Sequence, residues 1–253
     1  MELPANEVEF PNIWYSLGDE NHFWFEWRLA VLMDELRNRG VSLDAPLKVL
    51  DIGCGHGILG TQLDKSTRWL THGVDLNTEA LKLNRRNRDQ FSYYDIHDRK
   101  PELCEAYDCV FLFDILEHID DTDHFVESAL YYLKPNGWLF INVPALRALY
   151  SRYDTVAGHI RRYDKEMLTK LFGRFDAVVE NLRYWGASMI PFLLARKALV
   201  TIQQSGDDVI RTGFEPPSDM VHRLFKGLMR LETSTIKDPP RGTSLMASIR
   251  KGS

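Results

Sequence analysis

The sequence predicts an α/β fold built on a parallel sheet, and three observations support that prediction. Between about residues 47 and 183, short β-branched or aromatic runs alternate with segments of helical pattern, which is typical of βαβ units. A glycine-rich loop interrupts the chain directly after the first of these runs. The chain has 253 residues, 44% hydrophobic and 26% charged, which is the composition of an ordinary globular protein.

The elements follow one another in a regular order. An aromatic-rich helical pattern covers residues 21–37, and a second helix opens at Ile58. Asn77 and Asp164 can cap later helices, because their side chains accept hydrogen bonds from unpaired helical amides. A turn is predicted at residues 134–137. Strands are predicted at residues 48–52, at a segment ending with 72–75, and at 91–94, 109–113, 138–143, 177–182 and 244–249.

The chain divides into four parts on this pattern. We predict an N-terminal helical cap (1–45), a ligand-binding α/β core (46–183), a helical insertion or lid (184–240) and a final core strand (241–253). The third part is less regular than the core, since prolines and glycines interrupt it repeatedly. It is therefore interpreted as an insertion and not as a second full domain.

Charge and cysteine content exclude several classes of protein. The 31 basic and 36 acidic side chains give a formal net charge of −5, so we predict no nucleic-acid partner. Three cysteines without a paired motif favour free thiols in a reducing compartment. The first seven residues have no apolar segment typical of a signal peptide. Together these features predict a cytoplasmic protein.

The sharpest signal is a glycine loop followed by a spaced acid. Gly53, Gly55 and Gly57 follow the first strand, where they allow a tight turn and close approach of a ligand to the backbone. Asp75 lies at the end of the next strand, where a carboxylate can hydrogen-bond both ribose hydroxyls of a nucleoside. The combination predicts a nucleoside-containing cofactor.

The charge of the loop indicates which cofactor. Gly55, Gly57 and Gly60 match the dinucleotide pattern GxGxxG, so an NAD-dependent oxidoreductase is one alternative. However, Asp51 precedes the loop and would repel a pyrophosphate placed over the helix N-terminus. S-adenosylmethionine carries a sulfonium and an ammonium group but no phosphate, so it suits an acidic surround better.

Five ordered motifs resemble those of the class I S-adenosylmethionine-dependent methyltransferases. The likeness covers about residues 20–183 and implies a Rossmann-like, seven-stranded mixed sheet with helices on both faces and an antiparallel last strand. Five motifs in the right order are far more specific than any one of them. The matching stretches are LDIGCGHG (50–57), GVDL (73–76), YDI (94–96), FDILEH (113–118) and LKPNGWL (133–139).

The resemblance also implies a role for individual residues in cofactor binding. The three loop glycines line the methionine end, where Asp51 lies near the cofactor ammonium. Asp75 holds the ribose, and Leu76 packs on the adenine. Asp95 and Ile96 lie beside the adenine, and Phe113 and Asp114 border the cofactor after the fourth strand.

Two further segments resemble one subgroup of these enzymes, which act on small molecules and lipid precursors. They are the aromatic HFWFEWR (22–28) and the box GHIRRY (158–163). We expect Arg28 to pair with the cofactor carboxylate. Arg161, Arg162 and Tyr163 are expected at the acceptor, where guanidinium groups bind carboxylate or phosphate. Salt bridges from the arginines to Asp154 and Asp164 are the alternative.

Two histidines are candidates for the general base. Transfer of a methyl group to an alcohol or phenol requires removal of a proton, for which histidine suits neutral pH. His118 directly follows the fourth strand, where open α/β sheets form their ligand crevice, and it is the first candidate. His159, in a loop after the fifth strand, is the second. A structural role is the alternative for both.

Two stretches carry alternatives that the sequence leaves open. Residues 114–124 are rich in acids and histidines, but Asp120–Asp123 more simply cap the helix near Phe125, so we expect no metal there. Residues 184–200 mix apolar residues with two cations, which fits a lid helix, a dimer face or peripheral contact with a membrane.

The sequence therefore predicts O-methylation of a small or lipid-like acceptor, with S-adenosylhomocysteine as the product. A catalytically inactive subunit that binds the cofactor and stabilises a partner is the alternative from a different functional class. The oligomeric state remains open.

Overall fold

One mixed sheet organises the chain. A computed structural model describes residue 15 and residues 20–203, 205–215 and 218–253; the expectation for the first seven residues lies outside this part. The strands are β1 (Lys48–Ile52), β2 (Leu70–Asp75), β3 (Phe91–Tyr93), β4 (Tyr107–Phe113), β5 (Leu133–Pro144), β6 (Ala177–Trp185) and β7 (Ser244–Lys251). They lie in the order β3-β2-β1-β4-β5-β7-β6.

Helices connect and cover the strands. The core carries α1 (Phe23–Asn38), α2 (Ile58–Ser66), α3 (Thr78–Leu83), α4 (Thr122–Tyr132), α5 (Arg152–Val156) and α6 (Lys165–Phe172). Between β6 and β7 lie the three lid helices, α7 (Ile190–Thr201), α8 (Gly206–Phe214) and α9 (Asp219–Thr235). The insertion is therefore helical, as predicted. In the described part of the chain, no helix is both long enough and apolar enough to cross a membrane.

The direction of the strands fixes where a ligand can bind. Strands β1 to β5 are mutually parallel where they pair, whereas β7 runs antiparallel to both β5 and β6. The predicted Rossmann-like mixed sheet is thus confirmed. The chain order reverses between β1 and β4, and the carboxyl ends of neighbouring strands open a crevice at such a switch point.

Alternation along the strands produces two cores, one on each face. Successive side chains of a strand point to opposite faces, so Val110 packs with α4 and α6 while Phe111 packs with α1 and α2. Both side chains are fully buried. A smaller cluster joins α5 to the lid helices through Tyr153, Val200 and Val209.

β5 and β6 extend furthest beyond their predicted bounds. β5 begins at Leu133 and not at 138, because the predicted turn is part of the strand: the register with β4 shifts there, and Asn136 has a left-handed φ of 59°. β6 continues to Trp185, three residues past its predicted end at 182, because its pairing with β7 continues to Ser244.

A buried carboxylate attaches α9 to the segment that precedes α7. Glu232 is 4% exposed and accepts hydrogen bonds from the backbone N–H groups of Gly186, Ala187 and Ser188 at 2.8, 3.0 and 2.7 Å. Lys226 of α9 also pairs with Glu26 of α1 at 2.7 Å. These contacts hold the lid helices against the N-terminal helix and the sheet.

Candidate functional site

A large cavity lies at the switch point of the sheet, where a ligand crevice is expected. Its volume is about 1510 Å³, and it extends from the carboxyl ends of β1, β2 and β4 to the lid helices. The glycine loop and Asp75 line one end, and His118, His159 and residues of α7 and α8 line the other. One space therefore joins the predicted cofactor residues to the predicted catalytic residues.

The glycine loop has the backbone that the sequence predicted. Gly53, Gly55 and Gly57 have φ values of 75°, 53° and 83°, which L side chains rarely adopt. A Cβ on Gly53 would lie 2.6 Å from Cδ1 of Ile115. Gly53 and Gly55 line the cavity, whereas Gly57 precedes α2 as its N-terminal cap.

Asp75, the last residue of β2, stabilises the conformation of the glycine loop. Its two carboxylate oxygens accept hydrogen bonds from the backbone N–H groups of Gly55 and Asn77, both at 2.7 Å. Burial raises the pKa of Asp75. Tyr15 lies beside the loop, and its ring contacts His56 edge-to-face with the centroids 5.2 Å apart. Tyr15 lies before the first recognisable motif, and no sequence pattern indicated its place in the site.

Asp51 is a second carboxylate at this end of the cavity, and it is 3% exposed. Burial raises its pKa to about 7, while the nearby positive charges of Arg28 and Arg86 oppose the rise. A cationic ligand group beside Asp51 would favour the ionised carboxylate.

Arg28 is buried and forms an ion pair with the half-buried Asp114 in the cavity lining. Its Nη1 lies 2.5 Å from Oδ2 of Asp114, while the Asn142 amide donates to Oδ1 of the same carboxylate at 2.6 Å. The guanidinium also lies 5.2 Å from the centroid of the Phe113 ring. Within the described residues, Nε of Arg28 has no hydrogen-bond partner. The residue thus keeps a donor beyond its pairing with Asp114.

The predicted adenine residues line the same cavity. Leu76, Asp95 and Ile96 follow β2 and β3, and all three border the space. Asp95 caps the short helical turn Ile96–Asp98, since its Oδ1 accepts the backbone N–H of His97 at 2.9 Å. Ile96 is 4% exposed. An apolar contact and a carboxylate therefore lie together at this edge.

The two candidate histidines are neighbours with different partners. Their ring centroids are 4.9 Å apart. His118 Nδ1–H donates to the Gly158 carbonyl at 3.1 Å, and burial together with His159 lowers the pKa of His118 to about 3. His159 Nδ1–H donates to Oδ1 of Asp154 at 3.1 Å. Of the two histidines, only His159 has its Nδ1 hydrogen-bonded to a carboxylate.

Asp154 is fully buried and ionised. Arg162 Nε donates to its Oδ1 at 2.8 Å, and the Ser151 backbone N–H donates to its Oδ2 at 2.9 Å. Burial opposes ionisation, but the hydrogen bond from His159 and the charge of Arg162 outweigh it. They hold the pKa of Asp154 well below its usual value.

The three box residues expected at the acceptor have separate locations. Arg162 lines the cavity, but its guanidinium pairs with Asp154, the salt bridge named as the alternative for it. Arg161 lies outside the cavity lining and donates to the Asp120 carbonyl at 3.4 Å. Tyr163 is buried outside that lining, and its hydroxyl donates to the Leu116 carbonyl at 2.9 Å. The box thus packs on the turn that carries His118.

Three side chains could together hold a metal ion. The ligand atoms of Glu117, His118 and His159 all lie within 4.8 Å of one another. Burial and the nearby Asp114 raise the pKa of Glu117 well above its usual value, and its Oε2 has no partner among the described residues. The acidic stretch itself serves as expected, since Asp121 caps α4 by accepting the His124 backbone N–H at 3.0 Å.

Comparison with known proteins identifies the family. Residues 24–182 match a family described as "Methyltransferase domain". The chain belongs to this family. The predicted class of protein is thereby confirmed, and the dinucleotide alternative loses its support.

Two relatives carry a name that is more specific than the family description. The chain is 34% identical to the mitochondrial ubiquinone biosynthesis O-methyltransferase of Candida albicans over 117 residues, covering 43% of this chain and 36% of the relative. It is 30% identical to the ubiquinone biosynthesis O-methyltransferase of Paracidovorax citrulli over 152 residues, covering 55% and 61%. The matches therefore span between one third and two thirds of these relatives' length.

Solved structures share the fold. Phosphoethanolamine N-methyltransferase 2 of Haemonchus contortus, in complex with S-adenosyl-L-methionine, matches 87% of this chain and 52% of its own. The TM-score is 0.53, and the sequence identity is 20%. This likeness is evidence for the architecture alone.

Proposed function

We propose that this methyltransferase transfers a methyl group from S-adenosylmethionine to a hydroxyl of a small or lipid-like acceptor. The observation that carries the proposal is the single cavity that joins the glycine loop to His159. The names of the two relatives, both O-methyltransferases, support oxygen as the attacking atom. HFWFEWR and GHIRRY each contribute residues to the cavity lining, which supports the proposed subgroup.

The residues at the loop end fit the cofactor. Gly53 and Gly55 line the cavity without side chains, so a ligand can approach their backbone closely. Asp51 and Asp75 supply negative charge for a sulfonium compound with an ammonium group, and the cation Arg28 in the cavity lining suits its carboxylate. The carboxylate of Asp51 beside the loop would repel a pyrophosphate, which argues against a dinucleotide.

His159 is the better base of the two candidates. Its Nδ1–H bond to Asp154 fixes the tautomer that leaves Nε2 as an acceptor, and the carboxylate stabilises the imidazolium that forms when Nε2 takes a proton. His118 resists protonation near neutral pH, because its pKa is lowered to about 3. We therefore reverse the order that the sequence indicated, and assign His118 to holding the box loop through Gly158.

The reaction then requires three tasks of the protein. S-adenosylmethionine, when bound, supplies an electrophilic methyl group on sulfur. The loop would line the methionine end of the cofactor and Asp75 would hold its ribose, while the walls of the cavity exclude water and orient the acceptor hydroxyl. His159 accepts the hydroxyl proton at Nε2 as the oxygen attacks, while Asp154 balances the new charge.

Substitution of each histidine tests the assignment. The assay is transfer of a tritiated methyl group from S-adenosylmethionine to phenols with and without a prenyl tail. We expect His159→Gln to lower kcat by about 10²–10⁴, the usual contribution of a general base, with unchanged affinity for S-adenosylhomocysteine. His118→Gln should cost less than about tenfold. His72→Gln, in β2 outside the cavity, is the matched control. Full activity of His159→Gln would exclude it as the base.

The same assay separates the enzyme from an inactive subunit. An inactive cofactor-binding subunit should lack an open pocket beside His118, whereas here the cavity continues past both histidines to the lid. Binding of S-adenosylhomocysteine without methyl transfer to any of the phenols would favour the inactive subunit.

Peripheral contact with a membrane is the second part of the proposal. Phe192 and Leu199 line the cavity and are 39% and 53% exposed, and Ile202 beside them is 76% exposed. Only Val200 of α7 is buried, so a fully buried lid helix does not describe it. An apolar face at a cavity mouth suits entry of a greasy acceptor from a bilayer.

Ile202→Asp should reduce co-sedimentation with phosphatidylcholine–phosphatidylglycerol vesicles; unchanged co-sedimentation would contradict the proposal.

A further inference from the structure

Arg196 of α7 is a cation in the cavity wall whose role the proposed reaction does not explain. Its Nη1 donates to the Gly213 carbonyl at 2.6 Å, which ties α7 to α8. Its guanidinium lies 4.3 Å from the centroid of the Tyr153 ring. Both Arg196 and Tyr153 line the lid end of the cavity. The guanidinium is thus fixed in place by an aromatic ring and a carbonyl, as a preorganised site requires.

Arg196 has no counter-ion within the described residues. No carboxylate there lies within ion-pair distance of its guanidinium, and its Nε has no hydrogen-bond partner although it is buried. The buried carboxylate on this side, Asp154, is already paired with Arg162 at 2.8 Å. Glu215, at the rim of the cavity, pairs with Arg211 at 3.6 Å.

The positive charge of Arg196 therefore lacks an ion-pair partner in the described part of the chain. Burial lowers the pKa of Arg196, because the guanidinium is removed from water. A buried charge without a partner is costly, so a ligand that brings a negative charge gains the full benefit of pairing.

We propose that Arg196 binds a carboxylate of the acceptor and so selects for acidic hydroxy compounds. The inference rests on the proposed function and names the substrate class of that same site. A guanidinium offers planar donors that match a carboxylate in two parallel hydrogen bonds. Phe192, Leu193 and Phe225 line the cavity beside it, and their apolar side chains suit the hydrocarbon body of such an acceptor.

The location of Arg196 also gives the acceptor a direction. Arg196 lies on a lid helix, whereas His159 lies on the core loop after β5. An acceptor that places its carboxylate at Arg196 can present its hydroxyl to His159 from the opposite end. Arg196 would then be a specificity residue that orients the acceptor and takes no part in proton transfer.

A matched pair of ligands tests the proposal by calorimetry. The full chain, saturated with S-adenosylhomocysteine, is titrated with 4-hydroxybenzoate and with 4-hydroxybenzamide, its neutral near-isostere. We expect the wild type to bind the acid at least tenfold more tightly than the amide. Arg196→Met should abolish that preference and leave the affinity for the amide within about threefold. Arg196→Lys, which keeps the charge but not the planar fork, should retain part of the preference.

The control substitutes the neighbouring cation. Lys197→Met removes a positive charge from the same helix but outside the cavity lining, and should leave the preference unchanged. Equal affinity of the wild type for acid and amide, or a preserved preference in Arg196→Met, would overturn the proposal. If the wild type does not bind S-adenosylhomocysteine, the proposed function fails, while the same titration of the cofactor-free chain still tests Arg196.

Discussion

Replacing Asp51 with asparagine should change how the stability of the protein depends on pH. Asp51 has a pKa of about 7 in the folded chain, against its ordinary value of 3.8, which applies once the chain unfolds. The folded state therefore holds this proton more tightly than the unfolded state does. The stability contributed by the protonated form is complete below about pH 4 and is lost as pH rises through 7.

The size of the effect follows from this difference. At 1.36 kcal/mol for each pKa unit, titration of Asp51 removes about 2 to 3 kcal/mol of unfolding free energy between pH 5 and 8.5. Asp51→Asn abolishes this contribution. Asp75 and Glu117, whose pKa values are also raised, titrate in both proteins, so the difference between the two curves isolates Asp51.

Urea denaturation at several pH values measures the difference. The wild type should lose about 2 to 3 kcal/mol more than Asp51→Asn over that range. Asp44→Asn, at an exposed position outside the cavity lining, should follow the wild type. The affinity of the wild type for S-adenosylhomocysteine should rise about tenfold from pH 6 to 8, because only the ionised Asp51 attracts the ammonium. Parallel stability curves for wild type and Asp51→Asn would refute the reasoning.

Two substitutions test the backbone that shapes the site. Gly53→Ala should destabilise by about 1–3 kcal/mol in urea denaturation and weaken cofactor binding, since its φ is 75° and the Cβ would lie 2.6 Å from Ile115. Gly227→Ala, in open space on α9, should instead stabilise by about 0.5–1 kcal/mol, and an equal effect of both would contradict the argument. Glu232→Gln should cost about 2–4 kcal/mol, because three backbone donors lose a charged acceptor; a loss under about 1 kcal/mol would show that the contact is dispensable.

Sequence patterns within a few residues predicted the backbone of the glycine loop, but not the strand direction and strand bounds around it. Glycine spacing after a strand anticipated the left-handed backbone at Gly53 and Gly55, because the requirement is set by adjacent residues. The antiparallel β7 came from the resemblance alone, since strand direction leaves no periodic trace in sequence. The predicted start of β5 was wrong by five residues, because a turn pattern and a strand with shifted register share the same residues.

Most of the site contacts that the sequence did not predict join residues far apart in the chain. Arg28 and Asp114 are 86 positions apart, so no spacing rule could join them. The sequence ranked His118 first because it follows β4, but the order depends on partners: Gly158 for one histidine and Asp154 for the other. Arg196 is one of the two cations among the apolar residues 184–200, and the sequence pattern does not show that it lines a cavity, because the other walls come from distant parts of the chain.

Titration calorimetry with S-adenosylhomocysteine tests the central claim, that the carboxylates and glycines after β1 and β2 form an adenosyl cofactor site. The wild type should bind S-adenosylhomocysteine and bind it more tightly than NADH, and Asp75→Ala should weaken that binding at least tenfold. Undiminished affinity in Asp75→Ala, or a preference for NADH, would contradict the claim.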